Sequence, residues 1–151
     1  MANKSIATLI ALAFVAGSFV SPAAQQGRQY FSPRTPGDPA VTPFSGAVLT
    51  NGTLYISGTL GLGPNRERPA TADAEATNVL TNIRTALEAA GMTMDDLVSV
   101  QVFSADVADY DAFNKVYRTF FKKEFPARAY LGAGPLLFGA RFEVMGIAVK
   151  R

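Results

Sequence analysis

The side chain with the clearest chemical potential in this sequence is Arg128, which ends the apolar run 125–127. An arginine stays charged and presents five N–H donors in a flat fork, so it can hold a carboxylate by two parallel hydrogen bonds. The segment 141–149 follows closely, and its alternation predicts a strand that faces Arg128 and carries Glu143. The alternatives are a rim position for Arg128, or a structural ion pair with Glu143 or Glu124. We therefore predict a small-anion site at Arg128.

The residue types that the chain lacks narrow the chemistry further. Its 151 residues include no cysteine and no histidine, which removes thiol nucleophiles, Ser-His dyads, disulfides and the usual zinc ligands. No Asp-rich spacing indicates a Mg²⁺ or Ca²⁺ site, so we predict no metal and no cofactor. The net charge is only +2, so we predict no nucleic-acid partner. Any reaction must use arginine, carboxylates, hydroxyls, backbone groups and water.

Residues 1–24 have the layout of a secretory signal peptide. Lys4 is their single charge, residues 6–20 are apolar or small, and residues 21–24 offer small side chains for cleavage. An uncleaved anchor helix is the alternative, but the apolar run is shorter than the roughly 20 residues that span a bilayer. We therefore predict a protein exported to the periplasm or the medium, with no membrane attachment after cleavage.

The remaining sequence predicts one α+β domain over residues 41–151, preceded by a flexible lead-in over residues 25–40. The lead-in is rich in Gln, Arg, Pro and Gly and has no apolar period. The elements of the domain follow the order β-β-α-β-α-β-β. They are strands at 44–50 and 53–57, a helix from Thr71 to Gly91, a strand at 97–103, a helix at about 109–121, and strands at 127–131 and 142–149. A mixed sheet covered on one face by the two long helices is the simplest way to bury both apolar stripes.

Three finer predictions concern turns and strand faces. Asn51-Gly52 supplies the positive φ angles of a tight hairpin turn between the first two strands. The segment 58–69 is rich in Gly, Pro and charged residues, and we expect it to be a loop. Alternation in the third strand puts Val98, Val100 and Val102 on one face.

Several segments of the second half of the chain together resemble the RidA (YjgF/Rid) family. They are 94–103, Asp109-Tyr-Asp-Ala-Phe-Asn-Lys-Val-Tyr117 with Phe120-Phe121, Phe125-Pro-Ala-Arg128, and the terminal stretch 143–151. The resemblance covers the chain from about residue 40 to the C-terminus. It implies a chorismate-mutase-like (YjgF) fold and homotrimers with ligand clefts between subunits. It also implies hydrolysis of 2-imino and 2-enamino acids to 2-keto acids and ammonia, with Arg128 holding the substrate carboxylate.

The same resemblance suggests further site residues, and some positions depart from the family pattern. Phe44 stands where deaminating members carry a tyrosine, and Gly58 is kept while Thr59 replaces a glutamine. In the family pattern this strand carries two glutamates, and the second one positions the attacking water. Glu143 stands at the first of these positions, and Met145 stands at the second. Alternation puts these two side chains on one strand face, and a methionine cannot accept a proton from water. The other predicted substrate-binding residues are Asn114, Tyr117 and Tyr130.

Two functions from different classes follow. The first is a RidA-like hydrolase that binds a small carboxylated imine or enamine through Arg128, with Glu143 as the second catalytic residue. The second is a non-catalytic trimer that keeps the carboxylate pocket and has lost the hydrolytic groups, which Met145 and Thr59 favour. Glu143 itself has a structural alternative, as an ion-pair partner of an arginine. Ribonuclease action, reported for some relatives, is disfavoured by the missing histidine and the weak net charge.

Overall fold

The computed structural model describes residues 27–31 and 43–151. The predicted signal peptide and most of the predicted lead-in lie outside the described residues and stay predictions. One part of the lead-in is described: Gln29–Phe31 forms a short strand, β1, which pairs antiparallel with Ala47–Thr50, β2. No strand is predicted there from the sequence, because a run of this length is too short to show an alternation.

The described residues form a six-stranded mixed sheet with two α-helices, so the predicted α+β fold class is confirmed. The strands are β1 and β2 with the bounds above, β3 (Thr53–Leu60), β4 (Leu97–Ser104), β5 (Ala127–Gly132) and β6 (Phe142–Val149). Their order across the sheet is β1-β2-β3-β6-β4-β5. Only β4 and β5 run parallel; the other neighbours are antiparallel.

The hairpin between β2 and β3 turns as the sequence predicts. Asn51 and Gly52 have φ angles of 48° and 75°, the left-handed values that a two-residue hairpin turn requires. The prediction that 58–69 is a loop is wrong at its start, since β3 continues to Leu60. The pairing of β3 with β6 shifts between Ile56 and Thr59 and then resumes. This irregularity lets the strand include Gly58, where the sequence predicts the start of a loop.

The first helix, α1 (Ala72–Ala89), begins and ends where its sequence signals lie. The Thr71 hydroxyl caps it by accepting a hydrogen bond from the backbone N–H of Ala74 at 3.2 Å. Gly91 follows its last turn with a φ of 71°. Its buried stripe is Val79, Leu80, Ile83 and Leu87. In the described part of the chain, neither helix is long and apolar enough to cross a membrane.

The second helix, α2 (Tyr110–Tyr117), is shorter than predicted. The chain tightens into a 3₁₀ turn over Arg118–Phe120 instead of continuing as an α-helix to residue 121. The Thr119 hydroxyl donates to the carbonyl of Val116 at 2.7 Å. Such a local bond competes with the regular helical pairing of that carbonyl, which accounts for the early end.

The predicted alternation of β4 fails at its first residues. Leu97 is buried, whereas Val98 is 47% exposed and does not share the face of Val100 and Val102. The pairing of β4 with β6 is irregular between Leu97 and Ser99, and an irregularity of this kind breaks the two-residue period. The remaining residues of β4 alternate as predicted.

The two faces of the sheet differ in what covers them. Both helices pack on one face, over residues such as Leu54, Val102 and Val144, which are at most 1% exposed. The opposite face carries partly exposed apolar side chains, among them Tyr55 and Leu131, which are 49% and 43% exposed. We call it the open face.

The expectation that β6 faces Arg128 directly is wrong. β4 lies between β5 and β6, so Arg128 has Val100 as its strand neighbour. Two strand-to-strand steps of roughly 4.8 Å each separate β5 from β6. This separation, which no local pattern in the sequence reveals, decides the layout of the site.

Candidate functional site

Arg128 projects from an edge strand onto the helix-covered face. It pairs with Val100, whose side chain is buried under the helices, and paired residues share a face of the sheet. Tyr130, two residues further on, therefore projects to the same side. α2 lies over this edge, and its residue Phe113 contacts the Tyr130 ring with centroids 5.7 Å apart. The strand and the helix together enclose the Arg128 side chain.

The guanidinium of Arg128 is held by neutral groups. Its Nη2 donates to the Oδ1 of Asn114 at 2.8 Å, and the guanidinium lies 4.5 Å from the centroid of the Tyr117 ring. Tyr110 lies further away, at 6.0 Å. Within the described residues Arg128 makes no ion pair, so the structural pairs with Glu143 or Glu124 do not form. Most of the five donors of this arginine are left for a ligand.

A cavity of about 240 Å³ opens beside Arg128. Its lining consists of aromatic and apolar walls with a few polar groups, and it includes no carboxylate. The lining residues are Tyr110, Asn114, Tyr117, Arg118, Phe125, Pro126 and Arg128. An apolar pocket with a few convergent polar groups is the usual form of a small-molecule site, and the positive charge here selects an anion.

Two buried phenols lie against this arginine. In the described part of the chain, the hydroxyls of Tyr117 and Tyr130 have no hydrogen-bond partner. Burial raises the pKa of Tyr117 to about 12, although the Arg128 charge pulls that pKa down. Burial also raises the pKa of Tyr130. Both phenols therefore stay protonated at neutral pH and remain able to donate a hydrogen bond.

Two of the other predicted site residues, Gly58 and Glu143, lie together on the open face. Glu143 pairs with Leu60 on β3 and Phe103 on β4, between the buried residues Phe142 and Val144 of its own strand. A Cβ atom at Gly58 would lie 2.0 Å from the Oε1 of Glu143. Any other residue at position 58 would displace this carboxylate from its present position, which gives the kept glycine a physical reason.

The segment that carries Phe44 lies beside the same strand. The Ser57 hydroxyl donates to the carbonyl of Ser45 at 2.7 Å, and the Ser57 N–H donates to the carbonyl of Gly46 at 3.0 Å. These bonds hold Phe44, which is 55% exposed, near the strand position that precedes Gly58. Phe44, Gly58 and Glu143 thus form a second group of predicted site residues.

The structure therefore divides the predicted site into two halves. We call Arg128, Asn114, Tyr117 and Tyr130 the arginine half, and Phe44, Gly58 and Glu143 the glutamate half. The arginine half lies on the helix-covered face at β5, and Gly58 and Glu143 of the glutamate half lie on the open face at β3 and β6. A single chain does not bring the two halves together.

Comparisons with known proteins identify the family of this chain. Residues 35–150 match the family profile described as Endoribonuclease L-PSP. A goat protein named 2-iminobutanoate/2-iminopropanoate deaminase is 42% identical over 113 residues, which are 74% of this chain and 82% of the relative. The chain belongs to the RidA (YjgF) family. The predicted family resemblance is confirmed.

Solved structures of the RidA family share this fold. YyfA of the Rid protein family from Yersinia pestis superposes with a TM-score of 0.73 at 30% identity, covering 82% of this chain and 99% of that chain. The YjgF gene product of E. coli gives a TM-score of 0.70 at 32% identity, covering 74% of this chain and 91% of that one. The predicted YjgF fold is confirmed by both.

Four cavity residues were not predicted as site residues of this RidA-family protein. Phe125 and Pro126 appear in the sequence analysis only as part of the motif before Arg128, and Tyr110 appears only within the motif 109–117. Arg118 belongs to no motif. A signal was present, however, because 110, 114, 117 and 118 follow the spacing of one helix face. Once Asn114 and Tyr117 are taken as site residues, that spacing indicates Tyr110 and Arg118 as well.

Proposed function

We propose that this protein hydrolyses small 2-imino acids to 2-keto acids and ammonia, with Arg128 binding the substrate carboxylate. The observation that carries the proposal is the state of Arg128: a guanidinium held by Asn114 and the Tyr117 ring, with donors left over and no carboxylate partner in the described chain. An arginine held by neutral groups keeps its full charge for a ligand. The names of the curated relatives support the same reaction.

The reaction makes modest demands on the protein. Water adds to the carbon of the C=N bond while the nitrogen gains one of its protons. The new hydroxyl then gives its proton to the nitrogen as the C–N bond breaks, so that the C=O bond forms and ammonia leaves. Because imines react readily with water, orientation and polarisation of the two reactants supply most of what is needed. Glu143, which Gly58 leaves room for, is the proposed group that orients the water. Met145, next to it on the same face, cannot take that role.

We further propose that the protein is a homotrimer whose clefts join the two halves of the site. The division described above supports an assembly, since Arg128 and Glu143 of one chain lie on opposite faces of the sheet. A head-to-tail contact would bring the arginine half of one subunit against the glutamate half of the next. Three such contacts close a ring, and the number three rests on the family resemblance.

The reaction can be tested on the purified protein with imines generated in place. An amino-acid oxidase acting on L-2-aminobutyrate supplies 2-iminobutanoate, and keto-acid release is followed with and without the protein. Loss of a charge-assisted bidentate contact should lower kcat/KM of Arg128→Ala about 30-fold or more. Arg128→Lys should recover part of that loss only, because a point charge does not reproduce the flat fork.

The control for this test is Arg84→Ala, which removes an exposed arginine that pairs with Glu88 at 3.8 Å. It should hydrolyse the imine at the wild-type rate. An Arg128→Ala variant as active as this control would sink the proposed role of Arg128. Wild-type protein that binds 2-oxobutyrate in a calorimeter but accelerates no imine hydrolysis would instead favour the non-catalytic binding trimer, which Thr59 and Met145 support.

A further inference from the structure

The cavity beside Arg128 holds more positive charge than one carboxylate needs. Arg118 and Arg128 both line it, and no acidic side chain does. In the described part of the chain, the side chain of Arg118 makes no ion pair and no hydrogen bond, and Arg128 makes a single hydrogen bond, to Asn114. A carboxylate that takes up the Arg128 fork in two parallel bonds leaves the second guanidinium without a partner.

A third donor adds to this excess. The Tyr117 hydroxyl is part of a side chain that is only 4% exposed, and it has no partner in the described residues. A buried hydroxyl without a hydrogen bond is costly, and a bound acceptor would remove that cost. The side-chain oxygen of Asn114 is already engaged by Arg128. The free polar groups of the cavity are therefore mainly donors, and its ligand must be rich in acceptors.

The positions of Asn114 and Arg118 on one side of the cavity suggest a short ligand. Asn114, which holds Arg128, and Arg118 are four residues apart at the end of α2. Side chains four residues apart on a helix start about 5–6 Å from each other, so Arg118 begins close to the group that holds Arg128. Two guanidiniums that converge on one small cavity suit the two acid groups of a short diacid of about four to five carbons. The aromatic rings of Tyr110 and Phe125 provide apolar walls for the short chain between them.

We propose that this site prefers 2-imino acids with a second acid group, that is, the imines of short 2-keto diacids. Arg128 binds the carboxylate next to the imine carbon, and Arg118 with the Tyr117 hydroxyl binds the distal one. This inference takes the reaction from the proposed function, whereas the ligand class is inferred from the cavity itself. The alternative is that Arg118 is a solvated surface residue without a ligand.

Comparison of kcat/KM between diacid and monoacid imines tests the proposed substrate preference. Imines are generated in place from L-aspartate or L-glutamate and, for comparison, from L-2-aminobutyrate, and kcat/KM is measured for each. The wild type should favour the diacid imine, and Arg118→Gln should lower the ratio of diacid to monoacid kcat/KM about tenfold, the usual effect of losing one charge-assisted hydrogen bond. Arg118→Lys should restore most of the ratio, since it keeps the charge.

Lys123→Gln is the matched control, because it removes one exposed positive charge nearby from a residue that does not line the cavity. It should keep the wild-type ratio. Calorimetry with 2-oxoglutarate and 2-oxobutyrate gives the same comparison without turnover. Tighter 2-oxoglutarate binding that depends on Arg118, in a protein that hydrolyses no imine, would overturn the proposed reaction and support the ligand class. Active protein whose ratio is the same in Arg118→Gln and wild type would overturn the ligand class and leave the reaction standing.

Discussion

At the scale of single residues, the site depends on the kind of partner that each polar group has. Arg128 is held by an amide oxygen and an aromatic face, neither of which neutralises its charge. Arg141 differs, because its Nη1 pairs with the Glu75 carboxylate at 3.0 Å and its charge is neutralised within the protein. The two arginines are 13 residues apart in sequence and differ in role because of these partners. A carboxylate beside Arg128 would have made it a structural residue too.

Tyr117 leads to a prediction about alkaline stability. Burial raises its pKa in the folded protein to about 12, above the ordinary phenol value of 10.0, so the folded state holds the phenol proton more tightly. The stability from this group is complete below pH 10 and is lost as the pH rises towards 12. Between pH 9 and pH 11.5 the free energy of unfolding of the wild type should therefore fall more than that of Tyr117→Phe, by up to about 2 kcal/mol.

Urea unfolding at both pH values measures this difference. Tyr30→Phe is the control for loss of one phenol, since Tyr30 is 61% exposed. Equal pH slopes for Tyr117→Phe and wild type would show that the phenol ionises as easily in the folded protein as in the unfolded chain. At neutral pH, removing this unpartnered hydroxyl should cost the free protein little stability.

At the scale of elements, a buried carboxylate joins the first turn of α1 to the start of β6. Glu75 is fully buried and accepts from the backbone N–H groups of Arg141 and Phe142 at 2.5 and 3.1 Å, besides the Arg141 side chain. Arg141 in turn donates to the carbonyl of Pro69 at 2.9 Å. Gly61 packs so closely that a Cβ there would lie 2.2 Å from the Glu75 carbonyl oxygen. These contacts fix both strands that carry the glutamate half of the site.

Loss of this carboxylate should destabilise the fold strongly. Glu75→Ala leaves the largely buried Arg141 only the Asp109 carboxylate, at 4.0 Å, and leaves two backbone donors unsatisfied. It should therefore lower the free energy of unfolding by about 3–5 kcal/mol. Glu75→Gln keeps one side-chain acceptor and should lose less. The control is Glu88→Ala, whose exposed pair with Arg84 is worth roughly 0–1 kcal/mol. Denaturant unfolding compares the three, and equal losses at positions 75 and 88 would refute the joining role of Glu75.

At the scale of the whole molecule, the sheet separates groups that the proposed reaction would need together. The arginine half lies under α2 at one edge, and Glu143 of the glutamate half lies on the open face two strands away. The open face also exposes Tyr55, Leu131 and Val149, a set of apolar side chains that an intersubunit contact would cover. Both facts favour a site made between chains. Export of this assembly stays a prediction, because the apolar N-terminal stretch lies outside the described residues.

Mixed oligomers test whether the site is shared. Arg128→Ala and Glu143→Gln should each have strongly reduced activity alone. Coexpressed chains should regain activity, because some clefts then pair an intact arginine half with an intact glutamate half. Random mixing of equal amounts in a head-to-tail ring should leave about a quarter of the clefts intact. The measurement is imine hydrolysis by the purified mixed oligomer.

The control for this experiment is Arg128→Ala coexpressed with the double variant Arg128→Ala/Glu143→Gln, which should stay inactive because no chain supplies Arg128. A mixture of the two single variants that remains inactive, while its chains demonstrably assemble together, would show that the halves do not meet across a subunit boundary. Sedimentation of the wild type separately reports whether three chains assemble.

Sequence alone determined the features that depend on near neighbours along the chain. Asn51 and Gly52 specify their turn because only certain residues tolerate positive φ angles, and Thr71 and Gly91 specify the ends of α1 because they satisfy or terminate its backbone pairing. The absence of histidine and cysteine limits the chemistry without any knowledge of the fold. The resemblance likewise singled out Arg128, Asn114 and Tyr117 before their contacts were known.

Only the tertiary structure decided how the site is laid out. The insertion of β6 between β3 and β4 separates Arg128 from Glu143, and this depends on strand pairing between distant parts of the chain. Pairing between distant strands also produces two irregularities, one that extends β3 past Gly58 and one that turns Val98 outward. Local patterns fix which face a residue takes only within one regular strand. Which strands are neighbours, and therefore whether two candidate residues meet, is decided by packing of the whole sheet against its two helices.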